Sequence, residues 1–319
     1  MVFKQDRRYA VNHEELVEML VQRGDLRTPG IIAAFREIGR ADFMRKRTTD
    51  LACVESPIPI GYGQTISQPS IVALMLELLQ PQPGQTILDI GSGSGWTSAL
   101  LARIVGREGK VIAVELIPEL REFGERNAAK YDLDGVAEFF FGDASKGWPK
   151  RAPYDGILVS AEAKKLPPEL IPQLRVGGRI VIPIGHSIWQ FIRTSEEKLE
   201  SVEHLRYVFV PLLDEDDIRR REEAKKFLAE DLLHRCVAAV IAARAAENKP
   251  SSSALIAESV NSLLTQGGSQ LSYSTEQVDA VVSRLTELGF IAPTLILTIS
   301  AEETAELVRG VFEELPMSG

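Results

Sequence analysis

Cysteine is nearly absent from this chain: Cys53 and Cys236 are the only two in 319 residues. They lie far apart and form no metal-ligand spacing. That excludes a disulfide scaffold, gives no expectation of a bound metal, and leaves two free thiols suited to a reducing cytoplasm. Long apolar runs are missing too. No stretch of about 18 apolar residues occurs, and Met1–Asn12 is charged and polar, so neither a transmembrane span nor a signal peptide is expected. Histidine is scarce, and none of His13, His186, His204 or His234 falls in a recognisable motif. There is no Ser/His/Asp constellation. Basic charge is also in short supply. The net charge is −9, and residues 214–319 carry 18 acids against 10 bases. Nothing resembles a phosphate-binding surface, so the expectation is no nucleic acid and no membrane partner.

At 319 residues with 45% hydrophobic and 25% charged content, a globular chain of two domains is expected. Residues 13–23 and 30–38 carry apolar residues at helical spacing. A Pro/Gly-rich loop, Glu55–Pro69, leads into a helix at Ser70–Leu79. Strand-like runs then follow at Thr86–Ile90, Lys110–Glu115, Ala137–Phe141, Gly156–Ser160, Arg179–Pro183, Ile188–Thr194 and Arg206–Pro211. Helical patterns lie among them at Trp96–Val105, Pro118–Tyr131 and Pro167–Leu174. Alternation of this kind predicts an α/β fold, a doubly wound, mostly parallel sheet of seven strands covered on both faces. Ligands of such sheets sit beyond the carboxyl ends of the strands, where Gly91–Gly95, Glu115, Asp143 and Ser160 fall.

After Leu213 the pattern changes. Asp214–Lys226 is a dense charge run, followed by helical patterns at about 222–247, 253–265, 275–288 and 301–315 and a strand candidate at Thr294–Ile299. This predicts a smaller, mainly helical C-terminal domain. Ser274–Ile291 is similar in outline to the second helix and wing of a winged-helix module. Its Arg284 stands against Glu276, Asp279 and Glu287, the wrong balance for DNA. Packing, dimerisation or docking of a partner protein is expected instead.

The densest chemistry lies at Ile87-Leu-Asp-Ile-Gly-Ser-Gly-Ser-Gly95-Trp. A strand, a glycine turn and a helix are followed by a second strand ending in Glu115. Glycines let a ligand approach bare backbone, and the acid can accept hydrogen bonds from both hydroxyls of a ribose. A dinucleotide site places its third glycine one residue later, where Trp96 stands. Asp89 and Glu115 bracket the turn with negative charge, which suits a cationic sulfonium better than a diphosphate. The expected cofactor is S-adenosylmethionine, leaving as S-adenosylhomocysteine.

Pro57-Ile-Pro-Ile-Gly-Tyr-Gly-Gln-Thr-Ile-Ser-Gln-Pro69 resembles the signature loop of the protein-L-isoaspartate O-methyltransferases. The likeness continues through Gly142-Asp143, Ala152–Val159, Leu174–Gly185 and Arg206–Leu212, covering about residues 13–213. It implies a Rossmann-like methyltransferase domain at 1–213, with 214–319 as an accessory domain. It also implies methyl transfer from S-adenosylmethionine to the α-carboxylate of isoaspartyl residues in damaged proteins, an enzyme of protein repair. By the same resemblance Ser67, with Thr65 and Ile66, marks the catalytic lip. Gln64, Asp89, Gly91, Ser92, Gly93, Ser94, Gly95, Glu115, Leu116, Asp143 and Ala144 would hold the cofactor, with Asp143 on the adenine amino group. Glu55, Ser160, Ala161 and Glu162 would line the substrate site.

The chain departs from the family's pattern in three places. Ala52-Cys-Val-Glu55 stands for Ala-Tyr-x-Asp, Ala144 for a glycine, and Ser160-Ala-Glu-Ala163 for Thr-Ala-Ala-Ala. A carboxylate at Glu162 near the substrate's own would repel it by about 1 kcal/mol at 4 Å in water and by more when buried. Either Glu162 points away, or it pairs with Lys164 or Lys165, or the substrate differs. Two alternatives therefore stand beside repair: a specialised carboxyl O-methyltransferase acting on an aspartate of one partner peptide, and a cofactor-binding scaffold without activity.

Overall fold

The computed structural model describes residues 12–133, 135–204, 209–246, 252–266 and 271–288. The chain divides into two compact units, Met1–Asp214 and Glu215–Gly319. In the first unit, helix α1 (His13–Arg23) is capped by the Asn12 side chain and closed by Gly24 at φ 76°. Helix α2 (Pro29–Glu37) follows. Two 3-10 turns, Arg40–Phe43 and Lys46–Leu51, lead to a hairpin of β1 (Ile58–Gly61) and β2 (Gln64–Ile66). Its two-residue turn, Tyr62–Gly63, has both φ values positive, at 57° and 68°. That geometry matches the right-handed twist of the flanking strands. Helix α3 (Pro69–Leu79) begins directly after this loop, with proline in its first turn, where a missing N–H costs nothing.

The sheet is built from β3 (Thr86–Ile90), β4 (Lys110–Glu115), β5 (Ala137–Phe141), β6 (Tyr154–Val159), β7 (Leu174–Ile184), β8 (Ser187–Arg193) and β9 (Leu199–His204). Helix α4 (Trp96–Val105) connects β3 to β4, and α5 (Pro118–Ala128) connects β4 to β5. The strand order is β5-β4-β3-β6-β7-β8-β9. All pairs from β5 to β7 are parallel, and β8 and β9 are antiparallel. The central strands are apolar on both faces because helices cover both. The chain moves outward from β3 to β4 and β5, then returns to place β6 on the other side of β3. That reversal opens a crevice at the carboxyl ends of β3, β4 and β6.

The sheet has the seven strands expected, with differences at its margins. Its seventh strand among the described residues is Leu199–His204, and of the expected Arg206–Pro211 only 209–211 are described. Residues 205–208 lie outside the described residues, and Pro211 forms an isolated bridge with Glu162. Pro167–Leu174 is not a helix; only a 3-10 turn, Pro168–Leu170, forms there. Pro172 has no N–H to continue the turn. Strand β7 starts at Leu174 rather than Arg179, and α5 ends at Ala128. Tyr131 lies beyond that end. It stacks on Phe43, its hydroxyl accepts the Gly39 N–H and donates to Asp42.

In the second unit, α6 (Glu215–Glu230) contains the charge run. Pairs such as Arg219–Asp216 at 2.9 Å and Arg220–Asp217 at 2.5 Å lie one turn apart on it. Helices α7 (Leu232–Ala246), α8 (Ser253–Gln266) and α9 (Thr275–Glu287) follow. The pattern at 222–247 is thus two helices, broken where the Asp231 carboxylate accepts the Leu233 N–H. Their core gathers Cys236, Ile241, Ile256, Val260, Val278 and Leu285. The Ser274 side chain and Gln277 form a reciprocal capping box at the start of α9. The patterns at 294–299 and 301–315 lie outside the described residues.

Candidate active site

Beyond Ile90 the chain turns through Gly91, Gly93 and Gly95, at φ values of 76°, 51° and 83°. All three are in the left-handed region that favours glycine, but they serve different ends. A Cβ on Gly91 would meet nothing within 4 Å, and one on Gly93 would touch Ile60 Cδ1 at 3.5 Å. These two keep bare backbone on the wall of a cavity. A Cβ on Gly95 would lie 2.6 Å from the Gly124 carbonyl oxygen, so this glycine serves the close approach of α4 and α5 and does not line the cavity.

Glu115 closes β4 beside this turn and is buried. Its Oε2 accepts the Gly93 N–H at 2.8 Å and its Oε1 accepts the Ile117 N–H at 3.0 Å. Burial raises its pKa despite these bonds. Asp89 is buried completely behind the turn. Its Oδ2 accepts the Ser98 hydroxyl at 2.6 Å, while Oδ1 has no protein partner. Burial lifts the Asp89 carboxyl to about 7, with the nearby Glu115 adding to the effect. Asp89 does not reach the cavity wall, so the structure places it beneath the turn rather than against a ligand.

The cavity runs from Gly91–Ser94 and Val114–Ile117 to Gly142, Ala144 and Ser145, and is bounded on another side by Gln64–Ser67, Ser160 and Ala161. Val210–Leu213 completes it. Asp143 is half-buried beside it, with Oδ1 accepting the Ser145 N–H at 2.7 Å. A second cleft is lined by Pro57, Gln68, Ile71 and Phe209 together with Thr65, Ser67, Ser160 and Val210. The last four residues belong to both hollows. They form the partition between them.

Two residues expected at the substrate site turn elsewhere. The Glu162 carboxylate accepts the His186 N–H at 3.1 Å and lies 3.4 Å from its Nδ1. It contacts neither hollow and pairs with neither lysine. Its backbone is what matters locally: the Glu162 N–H donates to the Val210 carbonyl and its carbonyl accepts from Leu212, both at 2.8 Å, which pins the cavity wall. Glu55 faces the start of α3, where Oε1 accepts the Ser70 N–H at 3.1 Å and Oε2 the Gln68 amide at 3.3 Å. A carboxylate there satisfies an orphan donor and complements the helix dipole.

Sequence reasoning missed Arg40 and the wall at Val210–Leu213. The latter lies within the stretch that resembles the family, but no single residue in it carries recognisable chemistry. Nothing around Arg40 distinguishes it from a surface arginine, yet it is only 1% exposed and donates five hydrogen bonds to carbonyls.

A doubly wound sheet with a glycine turn after its central strand and an acid ending the next defines the Rossmann-like methyltransferases. The two solved structures set beside it here agree. One is a putative protein-L-isoaspartate O-methyltransferase of Plasmodium falciparum in complex with S-adenosyl-L-homocysteine, at TM-score 0.55 and 22% identity, covering 63% of this chain and 98% of that one. The other, a protein-L-isoaspartate O-methyltransferase, has TM-score 0.58 and 27% identity, covering 66% and 70%. In sequence, the protein of that name from Methanopyrus kandleri is 41% identical over 213 residues, 66% of this chain and 94% of its own length. That from Aeropyrum pernix is 42% identical over 208 residues, 64% and 80%. The profile of the protein-L-isoaspartate(D-aspartate) O-methyltransferase family matches residues 11–217. The chain belongs to that family.

Proposed function

We propose that the chain methylates the α-carboxylate of isoaspartyl residues across the partition formed by Thr65, Ser67 and Ser160, with the cofactor in the first hollow and the damaged residue entering from the second. The enzyme is an S-adenosylmethionine-dependent protein carboxyl O-methyltransferase of the repair type. The observation carrying the site reading is that these three residues line both hollows. The fit to the cofactor rests on the bare glycine wall at Gly91 and Gly93 and on the buried Glu115 carboxylate held beside it. Gln64, Ser92, Ser94, Leu116 and Ala144 line the same hollow.

When bound, the cofactor supplies an electrophilic methyl group on a sulfonium. The accepting carboxylate is already anionic and the departing sulfide is neutral, so the protein needs no strong general base. Its residues act by position. Glu115 accepts hydrogen bonds from the ribose hydroxyls, and Asp143 has a carboxylate oxygen to offer the adenine amino group. The Thr65 and Ser67 hydroxyls orient the substrate carboxylate, and Ile66 and Trp96 keep the first hollow partly apolar. Fixing the two reactants in line could supply several kcal/mol of the roughly 8–23 kcal/mol typical of enzymes. Because Glu162 is drawn off by His186, its carboxylate does not oppose the substrate's.

Residues 1–213 are read as the catalytic domain and 214–319 as an element for dimerisation or partner docking, which exposes Leu255 and Leu271. Cys53 and Cys236 form no disulfide, which fits a cytoplasmic enzyme. The test is tritium transfer from labelled S-adenosylmethionine to an isoaspartyl peptide and its normal aspartyl twin. Transfer to the isoaspartyl peptide alone is expected; cofactor binding with transfer to neither would overturn the reading. Ser67→Ala should slow transfer with cofactor affinity near normal.

A further inference from the structure

We propose that Arg40 is a positioning residue of the methyl-transfer site, shaping the substrate wall from behind by gathering the carbonyls of Ile66 and Ser67. The proposal rests on the reading of Thr65–Ser67 as that wall. Arg40 is the most deeply buried cation among the described residues, at 1% exposure. Its Nη1 donates to the carbonyls of Ala52 at 3.1 Å and Val54 at 3.0 Å. Its Nη2 donates to those of Ser56 at 2.8 Å, Ile66 at 3.3 Å and Ser67 at 3.0 Å. Its guanidinium carbon lies 5.8 Å from the centre of the Trp96 ring. No carboxylate among the described residues lies within ion-pair distance of it.

Burying a cation without a counter-ion is costly unless hydrogen bonds replace its water. Five carbonyls do so here, and their origin is informative. Three come from the segment before the hairpin and two from consecutive residues at its end, Ile66 closing β2 and Ser67 following it. In a trans peptide the N–H points opposite to the carbonyl of the same unit. Drawing the Ile66 and Ser67 carbonyls onto one nitrogen therefore turns the N–H groups of Ser67 and Gln68 away from Arg40. Neither has an acceptor among the described residues. Ser67 lines both hollows and Gln68 the second. Arg40 thus presents two unpaired backbone donors, one on the partition at Ser67 and one at Gln68 in the second hollow, where an anionic carboxylate is read to bind. A planar fork with five N–H groups can span these carbonyls; an ammonium on a flexible stem cannot.

Arg40→Lys keeps the charge and loses the fork. For the isoaspartyl peptide, kcat should fall by about tenfold or more, while the dissociation constant of S-adenosylhomocysteine, measured by calorimetry, stays within about threefold. Arg40→Ala assayed with added guanidinium ion should regain rate, and methylammonium should not restore it. The proposal is overturned if Arg40→Lys keeps kcat within about threefold of the unaltered enzyme, or if cofactor affinity falls in step with rate, since Arg40 would then hold the whole domain rather than the wall. Failure of the unaltered enzyme to methylate the peptide would instead remove the reading beneath it.

Discussion

Replacing Asp89 with asparagine should change how stability depends on pH, because this carboxyl is buried with one oxygen unpaired. Its pKa in the folded chain is about 7, against an ordinary value of 3.8. At about 1.4 kcal/mol per tenfold change in proton affinity, that difference corresponds to about 4 kcal/mol. Between pH 4 and 7 the unfolded chain releases this proton before the folded one, so the folded state binds more protons. Stability from this group is therefore full below about pH 4, falls as pH rises to about 7, and is level above it. The amide of the Asp89→Asn variant has no proton to release. The stability of the variant relative to the unaltered chain should rise by about 4 kcal/mol from pH 4 to pH 8. All three tryptophans, Trp96, Trp148 and Trp189, lie in the first unit. Denaturant unfolding followed by their fluorescence thus reports that unit alone. Parallel curves for the two proteins, differing by less than about 1 kcal/mol over this range, would refute the buried-acid argument.

Gly95→Ala should destabilise the first unit by about 3–5 kcal/mol in the same assay, combining a left-handed backbone with a Cβ driven into backbone atoms; a loss below about 1 kcal/mol would show that α4 and α5 can part freely. Glu162→Gln should leave the KM for an isoaspartyl peptide within about threefold, because this side chain faces His186; a large fall in KM would mean that it repels substrate after all. Glu55→Gln should lower stability by about 1 kcal/mol through the start of α3, with kcat little changed. Glu115→Ala should weaken cofactor binding at least about tenfold by calorimetry, from two lost charge-assisted bonds to the ribose; unaltered affinity would remove the ribose assignment.

The parts of this molecule legible in the sequence are those where burial writes a period. Strands β3 and β4 read as apolar runs bounded by turn residues, and the glycine turn between β3 and α4 carries its own signature. Strand β9 was illegible because it is an edge strand with most of its residues exposed, so neither face is marked. Pro167–Leu174 misled because its apolar spacing is helical while its prolines forbid a helix longer than one turn. The charge run at 214–226 hid a helix, since ion pairs one turn apart leave little apolar stripe. In the site, the residue types were readable but their directions were not. Glu162 and Glu55 both sit in the expected segments, yet each carboxylate follows the nearest unsatisfied N–H rather than the hollow. Arg40 was invisible because its partners are carbonyls from distant segments, which no sequence pattern records.

The meeting of Gly95 with Gly124 has a consequence for how this sequence can drift. A Cβ at Gly124 would lie 3.0 Å from the Gly93 carbonyl oxygen and 3.2 Å from the Gly95 nitrogen, just as one at Gly95 would strike Gly124. Gly95 is closed by the backbone of Gly124, whereas Gly124 is only tight, against the Gly93 and Gly95 backbone and the Phe139 side chain at 3.2 Å. A shorter side chain at position 139 would relieve one contact at Gly124, but no change of side chain relieves Gly95, so Gly95 is the fixed point of this crossing and Gly124 the position with room to drift.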